Sequence, residues 1–196
     1  MPVTIRTLNK RKQDGEKFSM LTAYDATFAR LISEAGVDAI LIGDSLGNVI
    51  QGRDSTVPVT LENMVYHTQC VARGNQGSLV LADVPFLGAA TLDRILDASG
   101  ALMQAGANMV KLEGGAWLAE AVTVLKRNGV PACVHMGLTP QAVNAVGGYR
   151  VQGKDEAGAR GVLDAAGALA LAGGAMLLPG AVPGRRSADI IEAEAS

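Results

Sequence analysis

The chain has 196 residues, 48% of them hydrophobic and 18% charged, a composition that excludes a disordered polymer and suits a folded domain. Its formal net charge is -2 and no Lys/Arg cluster stands out, which argues against a nucleic-acid-binding stripe. No apolar run reaches the ~18 to 20 residues that span a bilayer, and the first residues carry no apolar signal segment. Cys70 and Cys133 are the two cysteines, and isolated thiols make neither a disulfide framework nor a zinc site. A reducing cytoplasm is the expected location.

Residues 4 to 16 read as a short polar helix. Phe18 to Ala23 reads as a first strand, ending at Tyr24-Asp25. Ala26 to Ala35 is expected to be helical, with Phe28, Leu31 and Ile32 on one face and Gly36 ending the helix. Val37 to Ile42 is a second strand that stops at Gly43-Asp44-Ser45. Thr60 caps the next helix, which runs to about Ala72, and Asn63 sits where a capping box would place Glu. Ser78 to Asp83 is a third strand. Thr91 to Ala105 is a helix with Leu92, Ile95 and Leu96 inward. Ala107 to Glu113 is a fourth strand, and Ala116 to Asn128 a helix. Val130 to His135 is a fifth strand with Pro131 at its start, where proline is tolerated. A Gly-rich loop covers Gly137 to Lys154, and Ala157 to Ala172 is a helix of small residues. Ala175 to Leu178 is a weak sixth strand, and Ala188 to Glu194 begins a last helix.

Strands alternating with helices imply parallel βαβ units. The spacing fits a (β/α)8 barrel, yet only six strands can be counted, and a doubly wound open sheet fits the count better. Either arrangement puts chemistry at the carboxyl ends of the strands. Those ends carry Asp44, Asp83 and Glu113. Oxygen ligands without a thiolate suit Mg2+. Lys111 shares a strand face with Glu113 by the period of two. Ser45 could donate to a substrate carboxylate, and His135 stands at the fifth strand end. Together they suit a metal site for a small oxo acid, where the metal stabilises an enolate.

Each residue also has a plainer reading. Asp44 and Asp83 could be turn residues. Lys111 and Glu113 could be an exposed ion pair worth under ~1 kcal/mol. His135 alone could be structural, and His67, within an amphipathic helix, reads as structural. Asp25 and Asp54 receive no role.

A run of motifs narrows the choice. They are Thr22-Ala23-Tyr24-Asp25, Gly43-Asp44-Ser45-Leu46-Gly47, Gly52-Arg53-Asp54-Ser55-Thr56, Tyr66-His67-Thr68 and Ala82-Asp83-Val84-Pro85-Phe86. Ala105 to Gly115, His135-Met136-Gly137-Leu138-Thr139-Pro140-Gln141 and Gly147 to Gly153 follow. With these motifs in this order, most strongly over residues 4 to 153, the chain resembles the ketopantoate hydroxymethyltransferase family.

The resemblance implies a single domain over residues 1–196 of (β/α)8 barrel type. It implies transfer of a hydroxymethyl group from 5,10-methylenetetrahydrofolate to 3-methyl-2-oxobutanoate, giving 2-dehydropantoate for pantothenate biosynthesis. It implies Mg2+ at Asp44, Asp83 and Glu113, directly or through water, and an oxo acid that meets Asp44, Ser45, Asp83, Lys111 and His135. A base removes the C3 proton, and the enolate attacks the folate methylene. Family members form decamers, so a homo-oligomer is expected.

Two departures accompany it. The family's base is a glutamate at the sixth strand end, and Gly180 takes its place here, in Leu178-Pro179-Gly180-Ala181-Val182-Pro183. Pro179 also lacks a ladder donor within what would be a central strand. The chain stops at Ser196, before the seventh and eighth strands, so an incomplete barrel of about six βα units is expected. A catalytically impaired remnant or non-catalytic subunit is therefore an alternative reading. A Mg2+-dependent carbon–carbon lyase acting on another 2-oxo acid is a second.

Overall fold

The structure, a computed structural model, describes residues 1–142 and 156–181. The Gly147 to Gly153 motif, residues 143–146 before it and the helix expected at Ala188 to Glu194 lie outside the described residues. Helix α1 spans Ile5–Gln13, strand β1 Met20–Thr22, α2 Ala26–Glu34 and β2 Ala39–Ile42. The short α3 (Leu46–Val49) and α4 (Leu61–Gly74) follow, then β3 (Leu79–Asp83), α5 (Leu92–Gln104) and β4 (Met109–Glu113). A 3-10 turn at Ala116–Leu118 leads into α6 (Ala119–Arg127), then come β5 (Ala132–Gly137), α7 (Glu156–Ala172) and β6 (Met176–Gly180).

The strand order is β1-β2-β3-β4-β5-β6, and the pairs β1–β2, β2–β3 and β5–β6 are parallel. A doubly wound sheet reverses its order at a switch point, whereas a (β/α) barrel adds each strand beside the last. The sequential order therefore removes the open-sheet alternative. Strand β6 stands last in that order, and its described partner is β5. Pro179 continues β6 opposite Met136 instead of ending the strand at Leu178.

The chain divides into two compact units, Met1–Val110 and Lys111–Ser196. In the first, all five residues of β3 are buried, as expected of a parallel strand covered on both faces. Thr60 caps its helix as the sequence indicates, and Thr4, Asp25 and Thr91 likewise each accept a backbone N–H at a helix start. Asp25 thereby gains a structural role. Asn63 completes the capping box as a glutamate would, accepting the Thr60 N–H at 3.2 Å. Gly36, at φ +82°, turns the chain out of α2 in a conformation that favours glycine.

The face of α2 that carries Phe28 and Leu31 is largely exposed. Phe28 and Leu31 are 60% and 54% exposed, and Ala29 is the buried residue. The cause is close helix packing, since a Cβ on Gly74 would overlap the Ala26 carbonyl. Helices that touch through Gly and Ala leave no room between them for a phenylalanine. On α5 the buried residues are Ile95, Ala98, Ser99 and Leu102, and Leu92 stays on the surface. In the second unit β5 and β6 pair residue for residue from Cys133↔Met176 to Gly137↔Gly180, and α6 packs against α7. Among the described residues no helix is long and apolar enough to cross a membrane.

Asp38 fastens α1 to the sheet. Its carboxylate accepts the Ser19 N–H at 2.9 Å and the Ser19 hydroxyl at 3.0 Å, and pairs with Arg11 at 2.8 Å. Burial pushes its pKa up, but the Ser19 hydrogen bonds and the Arg11 charge outweigh that and hold it below the ordinary value. A depressed carboxylate stabilises the fold above its unfolded-state pKa and loses that contribution as pH falls through the folded-state value. Asp38→Asn is expected to cost about 1–3 kcal/mol in urea melts at pH 7, with the deficit shrinking as melts are repeated below pH 3.

Candidate active site

In the first unit, the turn after β2 shapes one cluster of candidate residues. Gly43 ends the apolar run, and the chain coils at once, with Leu46 N–H bonded to Gly43 O and Gly47 N–H to Asp44 O. Ile42 is in register with Ala82, so the next steps along β2 and β3 bring Asp44 and Asp83 together. The Asp44 N–H donates to Asp83 Oδ2 at 3.0 Å, and both side chains are buried. Two buried carboxylates side by side repel each other, and a cation between them offsets that cost. Turn-making and site-making are thus the same feature here, because the turn is what aims the Asp44 amide at Asp83.

Ser45 stands at the N-terminus of α3 but makes no cap hydrogen bond with its side chain. Its Oγ instead meets the Tyr24 hydroxyl at 2.8 Å. His67 holds Tyr24 in turn: its Nδ1 donates to the Tyr24 carbonyl at 2.7 Å, and the two rings lie edge to face. The structural reading of His67 therefore stands, with a specific task. Tyr24 is the residue that reading the sequence missed as a positioning group. A hydroxyl at a strand end was the available signal, the same one that picked out Ser45.

The second unit carries its own cluster on β4 and β5. Lys111 and Glu113 share a face of β4, and Lys111 Nζ lies 3.1 Å from Glu113 Oε1. Their side chains are 4% and 2% exposed, so the exposed-pair alternative is removed. His135 Nδ1 lies 3.1 Å from the same Oε1, and the Gln141 N–H donates to Oε2 at 3.1 Å. His135 is thus part of a network and not an isolated ring. The Gln141 amide was invisible to sequence pattern, because any residue offers one.

Burial pushes the Glu113 carboxyl up, but the His135 hydrogen bond and the Lys111 and His135 charges prevail and bring it to about 2. A carboxylate accepts about four hydrogen bonds. The three found here leave Glu113 capacity for about one further contact.

Among the described residues, Asp44, Asp83 and Glu113 are the acidic group that could hold a metal ion. All three donors are buried carboxylates, a set that fits a hard divalent cation and not a thiolate-seeking one.

Comparison with known proteins gives consistent matches. The sequence profile described as ketopantoate hydroxymethyltransferase matches residues 2–195. The 3-methyl-2-oxobutanoate hydroxymethyltransferase of Alcanivorax borkumensis is 74% identical over 190 residues, which cover 97% of this chain and 72% of that protein. The protein of the same name from Marinobacter nauticus is 55% identical, covering 98% of this chain and 73% of its own length. Among solved structures, 2,3-dimethylmalate lyase of the PEP mutase/isocitrate lyase superfamily superposes with a TM-score of 0.69 at 16% identity, covering 98% of this chain and 67% of that one. Phosphonopyruvate hydrolase gives 0.70 at 12% identity, over 91% of this chain and 63% of that one. These structural likenesses establish the fold.

The Glu113 network carries its own test. Glu113 contributes stability in full above its unfolded-state value near 4.5, and that contribution is lost as pH falls toward about 2. Carboxyl-carbon NMR at pH 4 is expected to find Glu113 ionised while exposed glutamates are partly protonated.

Proposed function

The chain belongs to the ketopantoate hydroxymethyltransferase family, and from that premise we propose that it transfers a hydroxymethyl group from 5,10-methylenetetrahydrofolate to 3-methyl-2-oxobutanoate, with Mg2+ as the metal. One observation carries the metal and oxo-acid part of this reading. Buried carboxylates stand at the carboxyl ends of three strands, with a hydroxyl and an ammonium at the same ends.

Mg2+ would be held by Asp44, Asp83 and Glu113. When bound, it supplies positive charge for the oxygen on which negative charge develops. The spare acceptor capacity of Glu113 favours a link through water, a common habit of Mg2+.

The chain's own groups would do the rest. Ser45, fixed by Tyr24, donates to the substrate carboxylate. Lys111, fixed by Glu113, sets a charge against the oxo acid, and His135 lines the same site. The C3–H bond breaks and C3 bonds to the one-carbon unit. The two carbon–nitrogen bonds to the folate break, and water supplies the hydroxyl. The C3 proton and the second proton of water end on the folate nitrogens as tetrahydrofolate leaves. Gly180 offers no side-chain acceptor for the C3 proton. General acid–base catalysis is worth ~10² to 10⁴-fold, so turnover is expected to fall by about that factor relative to a family member with glutamate at this position. The lyase alternative rests on fold likeness at 12–16% identity, which carries no reaction. Association of copies, as in the family, fits the exposed Phe28 and Leu31 of α2.

Titration calorimetry tests the reading. 3-Methyl-2-oxobutanoate is expected to bind in the presence of Mg2+ and not in its absence. Asp44→Asn or Asp83→Asn should weaken that binding at least tenfold. Equal oxo-acid binding with and without Mg2+ would contradict it.

A further inference from the structure

Tyr24 and Ser45 form a pair of hydroxyls whose proton order bears on what the neighbouring site accepts. The β1–β2 register sets Thr22 beside Leu41, and two further residues along each chain bring Tyr24 alongside Gly43. Gly43 leaves room for the pair. A Cβ built on it would lie 2.9 Å from Ser45 Oγ and 3.5 Å from Asp83 Oδ2. The Ser45 hydroxyl therefore rests over a bare Cα, and its partner among the described residues is the Tyr24 hydroxyl at 2.8 Å. Helix α4 holds the phenol in place. His67 Nδ1 donates to the Tyr24 carbonyl at 2.7 Å, and the two rings meet at 85° with centroids 6.3 Å apart.

Each hydroxyl carries one proton and two acceptor lone pairs, so geometry alone allows either order. A phenol oxygen shares its lone pair with the ring, which makes it the better donor and the poorer acceptor of the two. The substrate side points the same way. If Ser45 gave its proton to Tyr24, it would meet a carboxylate with lone pairs only, and two acceptors repel. With Tyr24 as donor, the Ser45 proton is left for the substrate, and the two bonds polarise each other in one direction.

We infer that Tyr24 is a positioning residue that sets specificity at the oxo-acid anchor: its hydroxyl donates to Ser45, so that Ser45 presents its one proton and selects a group that only accepts. The inference rests on the reading of Asp44 and Ser45 as that anchor. An ionised carboxylate has two accepting oxygens, one for the cation and one for Ser45. The corresponding amide has a single oxygen. Once that oxygen serves the cation, its NH2 faces the Ser45 proton, donor against donor. Without the Tyr24 hydroxyl, Ser45 is free to turn its proton away and accept the amide N–H.

Titration calorimetry with Mg2+ and two probes, 3-methyl-2-oxobutanoate and 3-methyl-2-oxobutanamide, tests this. Tyr24→Phe keeps the ring and the carbonyl that His67 holds. It is expected to weaken oxo-acid binding about three- to tenfold and to shrink the preference for acid over amide by a similar factor. Attraction of the cation for the acid's charge is common to both chains and cancels in that ratio. A merely structural role for Tyr24 would lower both affinities together and leave the preference unchanged. In a Ser45→Ala background, Tyr24→Phe should change neither affinity, because Tyr24 acts through Ser45. Ser45→Ala by itself should also shrink the preference, which keeps the question decidable if Tyr24→Phe does not fold. In the unaltered chain, nuclear Overhauser contacts are expected between the Tyr24 ring protons and the Ser45 β protons. An unchanged preference in either single variant overturns the inference, as do equal losses from Tyr24→Phe with and without Ser45. Absence of the Overhauser contact also overturns it. Those results leave the reading of the site standing. Failure of the unaltered chain to bind the oxo acid with Mg2+ overturns that reading, and the inference with it.

Discussion

A buried negative charge must be answered by hydrogen bonds and opposite charge, and the end of β4 depends on how Glu113 meets that demand. Lys111, His135 and the Gln141 amide all converge on its two oxygens. Lys111 and His135, fixed in this way, are the groups that the proposed chemistry would use. Because Glu113 is held ionised to about 2, the network persists across the physiological range. The same logic operates on a smaller scale at the end of β3, where the Asp44 amide serves Asp83. Strand ends that would otherwise expose polar backbone become the places where charge is stored.

Much of this was legible in the sequence because it follows from short-range rules. Apolar runs that stop at Asp44, Asp83 and Glu113 locate strand ends, and a period of two puts Lys111 beside Glu113. Thr60 and Asn63 mark a helix start whatever lies around it. Features that depend on two distant segments were not legible. The contact between Gly74 and Ala26 turns Phe28 and Leu31 outward, and no local pattern reports it. The Tyr24–Ser45 and His67–Tyr24 bonds join residues 21 and 43 positions apart. The choice between a barrel and an open sheet needed the strand order itself.

Gly180 shows how one residue can change meaning between sequence and structure. Read along the chain, it is a missing carboxylate. In the fold it is a space, and the space is filled by His135.

The central claim is that the strand-end carboxylates hold a divalent cation against a 2-oxo acid. The most direct measurement is proton relaxation of the methyl groups of 3-methyl-2-oxobutanoate, with paramagnetic Mn2+ in place of Mg2+. The account predicts strong relaxation enhancement that depends on the protein and disappears in Asp44→Asn. Enhancement that is absent, or that survives in Asp44→Asn unchanged, would contradict it.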